Sequence, residues 1–425
     1  MSDTPSQFEI HGQIEEVFRA LDEAGIDWLL FRGEERMKNP TGDIDLLIAP
    51  HDLDATNKLL TTLGFSRQGS ALLVTRRAYV AYVAEDDLWL RFDVVDRVAF
   101  GELLEFDTSA ADVFLASKRR VGVLFLPAQD DAFWHLLLHY MLDRGDVPLP
   151  WREILRDRAK DAAVDGPLAV FLDALSGDAI SARVLTAVRT EDWSSLQVLF
   201  NQIREAWLRS QGPTGRVRFN TQRALSRLGL GQWTSFRPGL SVAVLGPDGA
   251  GKTTLSLGLR DSLAIPTKYL YMGLWKVGKL EQFLSHVPGL NLLLMLFQLV
   301  WRSLLLSYFR WRGRIVILDR FSYDAVLVTK EATWRQRVTA ALVLRMSQSP
   351  DLIVVLDLPG EVAFARKGEQ DVATLDEWRA AYRALELGRA QLVVLDATEP
   401  IDEVLRLATE AIWTTIRSRA EPKQA

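Results

Sequence analysis

The stretch VLGPDGAGKTT constrains this chain more than any other, because it fits the pattern Gly-x-x-x-x-Gly-Lys-Ser/Thr. Gly246 and Gly251 bracket the loop, and Lys252 and Thr253 follow it. An aliphatic run precedes the loop and helix-forming sequence follows, which is the context that the pattern requires. Glycines let backbone N–H groups converge on a phosphate, the helix N-terminus adds positive charge, and the lysine adds a point charge. The stretch therefore predicts a site for ATP, with the Thr253 hydroxyl as a ligand of Mg²⁺.

The length and the spacing of aliphatic runs predict two domains. A chain of 425 residues exceeds one ordinary hydrophobic core. Residues 1–209 combine strand-like and helical patterns, which predicts a small mixed α+β sheet followed by a helical subdomain. Residues 239–425 carry the runs RIVILDR, DLIVVLDLP and AQLVVLDA between helical segments, which predicts an α/β domain with a doubly wound parallel sheet. Residues 210–238 are rich in glycine and basic side chains, and we expect them to form a linker; a short basic helix around residues 221–228 is the alternative to a loose tether.

Composition narrows the class of partner. The net charge of −5 argues against a nucleic-acid-binding protein, and the absence of cysteine excludes disulfides and thiolate metal sites. The acidic N-terminus lacks the apolar core of a signal peptide, so we expect a cytoplasmic protein. A small-molecule partner is the remaining expectation, and the oligomeric state stays open.

The apolar run at residues 290–309, LNLLLMLFQLVWRSLLLSYF, raises the question of whether the chain has a membrane-spanning helix. Arg302 interrupts it, and its longest dense apolar block, residues 292–301, is too short to cross a bilayer. We expect a buried helix here. The alternative is a membrane-surface or partner-facing helix through residues 290–314, where aromatic and arginine side chains alternate.

Three motifs in the second half resemble those of the thymidylate kinase family. GPDGAGKTTL is similar to the phosphate loop of the family, LDRFSYD to its Asp-Arg-aromatic motif, and ARKGE, residues 365–369, to its basic lid. The resemblance covers roughly residues 240–425. It implies transfer of a phosphoryl group from Mg-ATP to a small acceptor, with fixed positive charge supporting the transition state.

The resemblance also implies roles for individual residues. Asp319 would orient the metal or the acceptor, Arg320 would hold an anionic part of the acceptor, and Arg366 with Lys367 would cover the migrating phosphoryl group. The remaining implied nucleotide contacts are Asp248, Gly249, Ala250 and Thr254 in the loop, and Asp396 and Ala397 beside the adenine. The alternatives are structural: Asp319 could cap a strand, and Arg366 and Lys367 could form a solvated helix face.

The acceptor side departs from the family pattern. Thymidylate kinases carry an arginine-containing segment after the first helix of the domain, but no arginine occurs here between Arg260 and Arg302. The sequence PTKYLYMGLWKVGKLEQ stands in its place and resembles a divergent branch of the family. The acceptor therefore stays open between a nucleoside monophosphate and a sugar-like metabolite.

A second constellation lies upstream, in LLFRGEERMKNPTGDIDLLI. Gly33 followed by Asp43-x-Asp45, with Asp93 in the later strand LRFDVV, resembles the nucleotidyltransferase superfamily. Side chains two apart on a strand face the same side, so Asp43 and Asp45 could bind the same Mg²⁺ pair, with Asp93 as the third ligand. Glu34 stands where many active members have serine, and a retained fold without catalysis is the alternative.

Three functions therefore remain open at the level of sequence. The first is a kinase, with a second nucleotidyl-transfer activity in the N-terminal domain. The second is a nucleotidyltransferase that a P-loop ATPase domain regulates, and the third is a non-catalytic assembly factor that binds nucleotide. His135 and His139, one helical turn apart, are expected to be core or polar-stripe residues because no further metal ligands accompany them.

Overall fold

The computed structural model describes residues 8–68, 76–176, 179–227, 239–272, 290–319, 348–368, 370–385 and 390–420. The chain divides into two compact units. The first comprises residues 1–80 and 90–233, and the second comprises residues 81–89 and 234–425. Arg320 and Glu369, both within motifs of the sequence analysis, lie outside the described residues, as does most of the acceptor-side segment that follows Met272.

The first unit is built on a five-stranded sheet with the strand order β1-β2-β5-β4-β3. Strand β2 runs parallel to β5, while β1 is antiparallel to β2 and β3 is antiparallel to β4. The mixed sheet expected from the sequence is therefore present. Its strands are β1 (Trp28–Leu30), β2 (Ile44–Ile48), β3 (Ser66–Gln68), β4 (Arg76–Val83) and β5 (Leu88–Val95).

Two short hairpins and a helical region complete this unit. The hairpins are β6 (Ala99–Phe100) with β7 (Phe106–Asp107), and β8 (Arg119–Val121) with β9 (Leu124–Leu126). The helices are α1 (Gly12–Glu23), α2 (Leu53–Thr62), α3 (Ala111–Ser117), α4 (Gln129–Leu138), α5 (Leu149–Ala159), α6 (Pro167–Ser176), α7 (Ile180–Arg189), α8 (Trp193–Ser210) and α9 (Gly212–Arg227). Helix α4 continues into a π-helical turn, His139–Arg144, and large side chains such as Phe133, Trp134 and Phe200 fill the core.

The predicted linker at residues 210–238 is helical in its first half. Helix α9 occupies Gly212–Arg227 and belongs to the first unit, which extends to residue 233. Pro213 lies in the first turn of the helix, where its missing N–H costs no intrahelical hydrogen bond. Phe219 of α9 packs on Trp207 of α8, with ring centroids 5.1 Å apart. This contact helps to fix a segment whose composition indicated a linker.

The second unit contains the parallel sheet that the aliphatic runs predict. Its strand order is β11-β12-β10-β13-β14, and every registered pair is parallel. The strands are β10 (Ser241–Leu245), β11 (Thr267–Tyr271), β12 (Ile315–Asp319), β13 (Leu352–Asp357) and β14 (Gln391–Asp396). The helices are α10 (Lys252–Ser262), α11 (Leu290–Trp311), α12 (Gly360–Lys367), α13 (Val372–Arg383) and α14 (Ile401–Ala420). Residues of β10 and β12 are buried throughout, as a sheet covered on both faces requires.

Helix α11 is not buried all round, so the expectation for residues 290–309 is wrong. Leu299 and Leu306 are 1% exposed, but Phe297 and Leu304 are 67% and 58% exposed. The exposed side chains recur with helical spacing, because only the opposite face of α11 packs on the sheet. Among the described helices, none has the length and apolar character needed to cross a membrane. The alternative of a partner or membrane-surface contact stays a prediction.

Candidate active site

The phosphate loop connects the end of β10 to the start of α10, and its glycines have backbone conformations that other residues rarely adopt. Gly246 has φ 147° and Gly251 has φ 90°. A Cβ atom on Gly246 would lie 2.7 Å from the carbonyl oxygen of Leu356, so the loop passes close to the end of β13. Helix α10 starts at Lys252, and the first N–H groups of a helix have no intrahelical acceptor. The loop and helix therefore have the geometry expected of an anion site.

Lys252 turns its side chain back onto this loop. Its Nζ donates to the carbonyl oxygens of Gly246 and Pro247, each at 2.8 Å, and lies 3.3 Å from Oδ1 of Asp248. The residue is only 7% exposed. These contacts hold the ammonium group at the loop, where it can act on phosphate oxygens.

Asp319 and Thr253 are brought together, although they are far apart in the sequence. Strands β10 and β12 are parallel neighbours, so the end of β12 lies beside the beginning of α10. The Thr253 hydroxyl donates to Oδ2 of Asp319 over 2.8 Å. Asp319 is fully buried, and its Oδ1 has no hydrogen-bond partner among the described residues. A hydroxyl and a carboxylate with one unsatisfied oxygen suit a hard cation such as Mg²⁺.

Tyr269 is a site residue that the sequence analysis missed. Its hydroxyl donates to the same Oδ2 of Asp319 over 2.8 Å, so two hydroxyls orient this carboxylate. Burial and the hydrogen bond to Asp319 raise the pKa of Tyr269, which keeps the phenol protonated and able to donate. An aromatic residue in the strand TKYLY gives no signal of this role. The contact depends on the register that pairs β11 with β12.

Arg366 and Ala397 also lie together. The two guanidinium nitrogens Nη1 and Nη2 are each 3.4 Å from the Ala397 carbonyl oxygen. Asp396 precedes Ala397 at the end of β14 and accepts hydrogen bonds from the backbone N–H and hydroxyl of Thr398, which hold its pKa below the usual range. Lys367 is exposed at the end of α12. The proposed lid and the proposed adenine-side residues therefore meet at one end of the sheet.

A second cluster at this end of the sheet was not predicted. Asp357 closes β13, and Arg379 of α13 binds it with two hydrogen bonds, 2.5 Å from Nε to Oδ1 and 2.8 Å from Nη2 to Oδ2. This guanidinium lowers the pKa of Asp357. Asp376, from the same helix, accepts the Gly360 N–H over 2.8 Å. Both contacts anchor α13 against the segment that leads into α12, and hence position Arg366.

In the first unit, the three upstream carboxylates do not form a metal-ligating group among the described residues. Asp45 and Asp93 are directly paired in the register of β2 and β5. However, Arg91 Nε lies 3.2 Å from Asp43 and 3.6 Å from Asp93, and Arg32 Nη2 lies 2.8 Å from Asp45. Guanidinium groups thus already pair with these carboxylates, and they oppose a further positive charge beside them. Nucleotidyl transfer by this unit stays a prediction from the sequence.

The comparisons with known proteins concern less than half of the chain. No family model matches it. It is 31% identical over 201 residues to a thymidylate kinase of Xanthomonas campestris pv. campestris, covering 43% of this chain and 86% of the relative. It is 26% identical over 221 residues to the uncharacterized ATP-binding protein YghS of Escherichia coli strain K12, covering 41% and 93%.

Two solved structures are similar at lower identity. One is deoxyadenosine kinase from M. mycoides with bound dATP, with 16% identity, 40% of this chain and 98% of that chain covered, and a TM-score of 0.32. The other is a thymidylate kinase from Candida albicans, with 20% identity, 42% and 93% covered, and a TM-score of 0.34.

Proposed function

We propose that the second unit of this chain, which belongs to the thymidylate kinase family, transfers the terminal phosphoryl group of ATP to a small polar acceptor. A member of that family aligns with 43% of the length of the chain. The observation that carries the proposal is the Thr253–Asp319 pair beside the phosphate loop, with Oδ1 of Asp319 buried and without a partner among the described residues. Phosphoryl transfer depends on a positioned metal, and this arrangement would hold one.

Different residues of the site would contact different parts of Mg-ATP. The backbone N–H groups at the start of α10 would bind the β-phosphate, and the Lys252 ammonium would interact with the β- and γ-phosphates. Thr253 and Asp319 would hold Mg²⁺, which would neutralise charge on the β- and γ-phosphate oxygens. Arg366, on α12, would supply positive charge as the bond to the bridging oxygen breaks. We propose that Arg320 contacts an anionic part of the acceptor, as the family resemblance implies.

The proposed acceptor is a nucleoside monophosphate or another small polar metabolite. The absence of arginine between Arg260 and Arg302 favours the second of these over a nucleoside monophosphate such as dTMP, because a monophosphate normally contacts a guanidinium. The test is a screen of the full chain with Mg-ATP and dTMP, other nucleoside monophosphates, monosaccharides and sugar phosphates. Phosphorylated product and ADP should appear in equal amounts for one acceptor class. ADP formation that no acceptor accelerates would refute the kinase and favour an ATPase.

A matched pair of lysine variants tests the loop itself. Lys252→Ala removes the ammonium that lies at the loop, and we expect kcat/KM to fall about 100-fold or more, as for the loss of a single charge-stabilising donor in a transition state. Lys268→Ala removes an exposed lysine of β11 and should leave turnover unchanged. Equal activity of the Lys252→Ala variant and the unmodified chain would refute the proposal.

A further inference from the structure

A cavity in the first unit is bounded by polar groups, most of which lie outside the carboxylate motif. Its lining includes Phe31, Arg32, Asp45, His135, His139 and Asp143. Apolar side chains, including Val98 and Phe100, complete the lining, and the cavity is partly open to solvent.

Two buried nitrogen atoms on this cavity have no hydrogen-bond partner among the described residues. They are Nη1 of Arg32 and Nδ1 of His135. His135 is 8% exposed, and its ring stacks on Phe31 with centroids 4.1 Å apart and planes 7° apart. A buried polar group without a partner lowers stability, and such groups are rare in folded proteins. A molecule bound in the cavity could satisfy both atoms.

The neighbouring groups are already paired. Arg32 Nη2 donates to Oδ2 of Asp45 over 2.8 Å, so the charge of this guanidinium is balanced. His139 Nδ1 lies 2.7 Å from Oδ2 of Asp143, whose Oδ1 accepts the Gly101 N–H over 2.6 Å. Burial lowers the pKa of His135 well below its usual value and also lowers that of His139. His135 is therefore neutral at pH 7 and offers one donor and one acceptor nitrogen.

From this wall we propose that the first unit binds a small uncharged molecule with several hydroxyl groups, such as a monosaccharide or a cyclic polyol, between Arg32 and His135. One hydroxyl oxygen accepts a hydrogen bond from Arg32 Nη1, and another hydroxyl pairs with His135 Nδ1. An anionic ligand would face the carboxylates of Asp45 and Asp143, and a cationic ligand would face Arg32. The rings of Phe31 and Phe100 provide apolar surface for the C–H face of such a molecule.

The experiment is calorimetric titration of the full chain with glucose, galactose, mannose and myo-inositol, and with glucose 6-phosphate and galacturonate as anionic counterparts. At least one uncharged compound should bind, and more tightly than the anions. His135→Phe keeps the ring that stacks on Phe31 but removes both nitrogens, and we expect affinity to fall about tenfold for one lost hydrogen bond. His51→Phe, at an exposed histidine of the same unit, should bind as the unmodified chain does.

A second variant tests the proposal independently in case His135→Phe does not fold. Arg32→Lys keeps a positive charge beside Asp45 but removes Nη1. It should lower the affinity for the same compound to a similar degree. No binding by any uncharged compound, tighter binding of the anions, or binding that neither variant weakens would each overturn the proposal. A crystal structure soaked in the tightest compound that shows only ordered water at His135 Nδ1 would do the same.

Discussion

Tyr269→Phe isolates the role of the second hydroxyl on Asp319. The substitution keeps the aromatic ring in β11 and removes only the oxygen that lies 2.8 Å from Oδ2. Thr253 remains as the other donor to that oxygen. Hydrogen bonds to a charged group contribute about 1.5–3 kcal/mol, and Asp319 is fully buried, so the free energy of unfolding should fall by an amount in that range.

The effect on metal dependence should be larger than the effect on ATP binding. Residues that orient a metal ligand typically change metal affinity or activity about 10–100-fold when they are removed. We therefore expect the Mg²⁺ concentration for half-maximal ATP turnover to rise at least tenfold, with KM for ATP at saturating Mg²⁺ little changed. The pKa of Tyr269 is raised, so its hydroxyl still donates below about pH 10, and the difference should be the same at pH 7 and pH 9.

The assay is coupled ADP release with Mg²⁺ titrated at fixed excess ATP, supported by urea unfolding of the same preparations. Tyr271→Phe is the matched control, because it removes the next hydroxyl along β11, which is not one of the two that contact Asp319 Oδ2. An unchanged Mg²⁺ dependence in Tyr269→Phe, together with a reduced unfolding free energy, would show that Tyr269 only stabilises the fold. A rise in both variants would refute the assignment to this particular hydroxyl.

Three further predictions concern other parts of the chain. Gly246→Ala should lower the free energy of unfolding by about 1–3 kcal/mol and abolish ATP binding in calorimetry, because the new Cβ would lie 2.7 Å from the Leu356 carbonyl oxygen at φ 147°. Arg91→Ala should reduce urea stability by about 1–3 kcal/mol, since Asp93 is 1% exposed and loses its guanidinium neighbour; unchanged stability would contradict this. Because the pKa of His135 is lowered in the folded chain, its ring binds a proton below about pH 6.5 in the unfolded chain but not in the folded one. The free energy of unfolding should therefore fall by about 1 kcal/mol from pH 7 to pH 5.5. His135→Phe should remove that part of the pH dependence.

The parts of the site that could be predicted are those whose residues are contiguous or end a strand. Gly246, Lys252 and Thr253 form one motif, Asp319 ends an aliphatic run, and parallel strands place such ends at one edge of the sheet. The Thr253–Asp319 contact lies at that edge. Tyr269 could not be identified in this way, because a tyrosine in a strand usually fills a sheet surface.

The position of Arg91 in the sequence already indicates that it pairs with the upstream carboxylates. It lies two residues before Asp93 on β5, and side chains two apart on a strand face the same side. The parallel register of β2 and β5 then places Arg91 near Asp43. A pattern of carboxylates alone suggested a metal site, whereas the same pattern with its arginine indicates a network of ion pairs. The charge of every side chain on a strand face has to be counted before a cation is assigned to it.

Buried atoms without partners point to a different kind of site in each unit. Beside the phosphate loop of the second unit, such an atom is a carboxylate oxygen, Oδ1 of Asp319, which attracts a cation. On the cavity of the first unit, such atoms are nitrogens of Arg32 and His135, whose neighbouring charges are already paired. Such a wall prefers hydroxyl groups to ions, because an ion would have to displace an existing pair. The two units are therefore expected to differ in ligand chemistry, and Mg²⁺ should bind the second unit more tightly than the first.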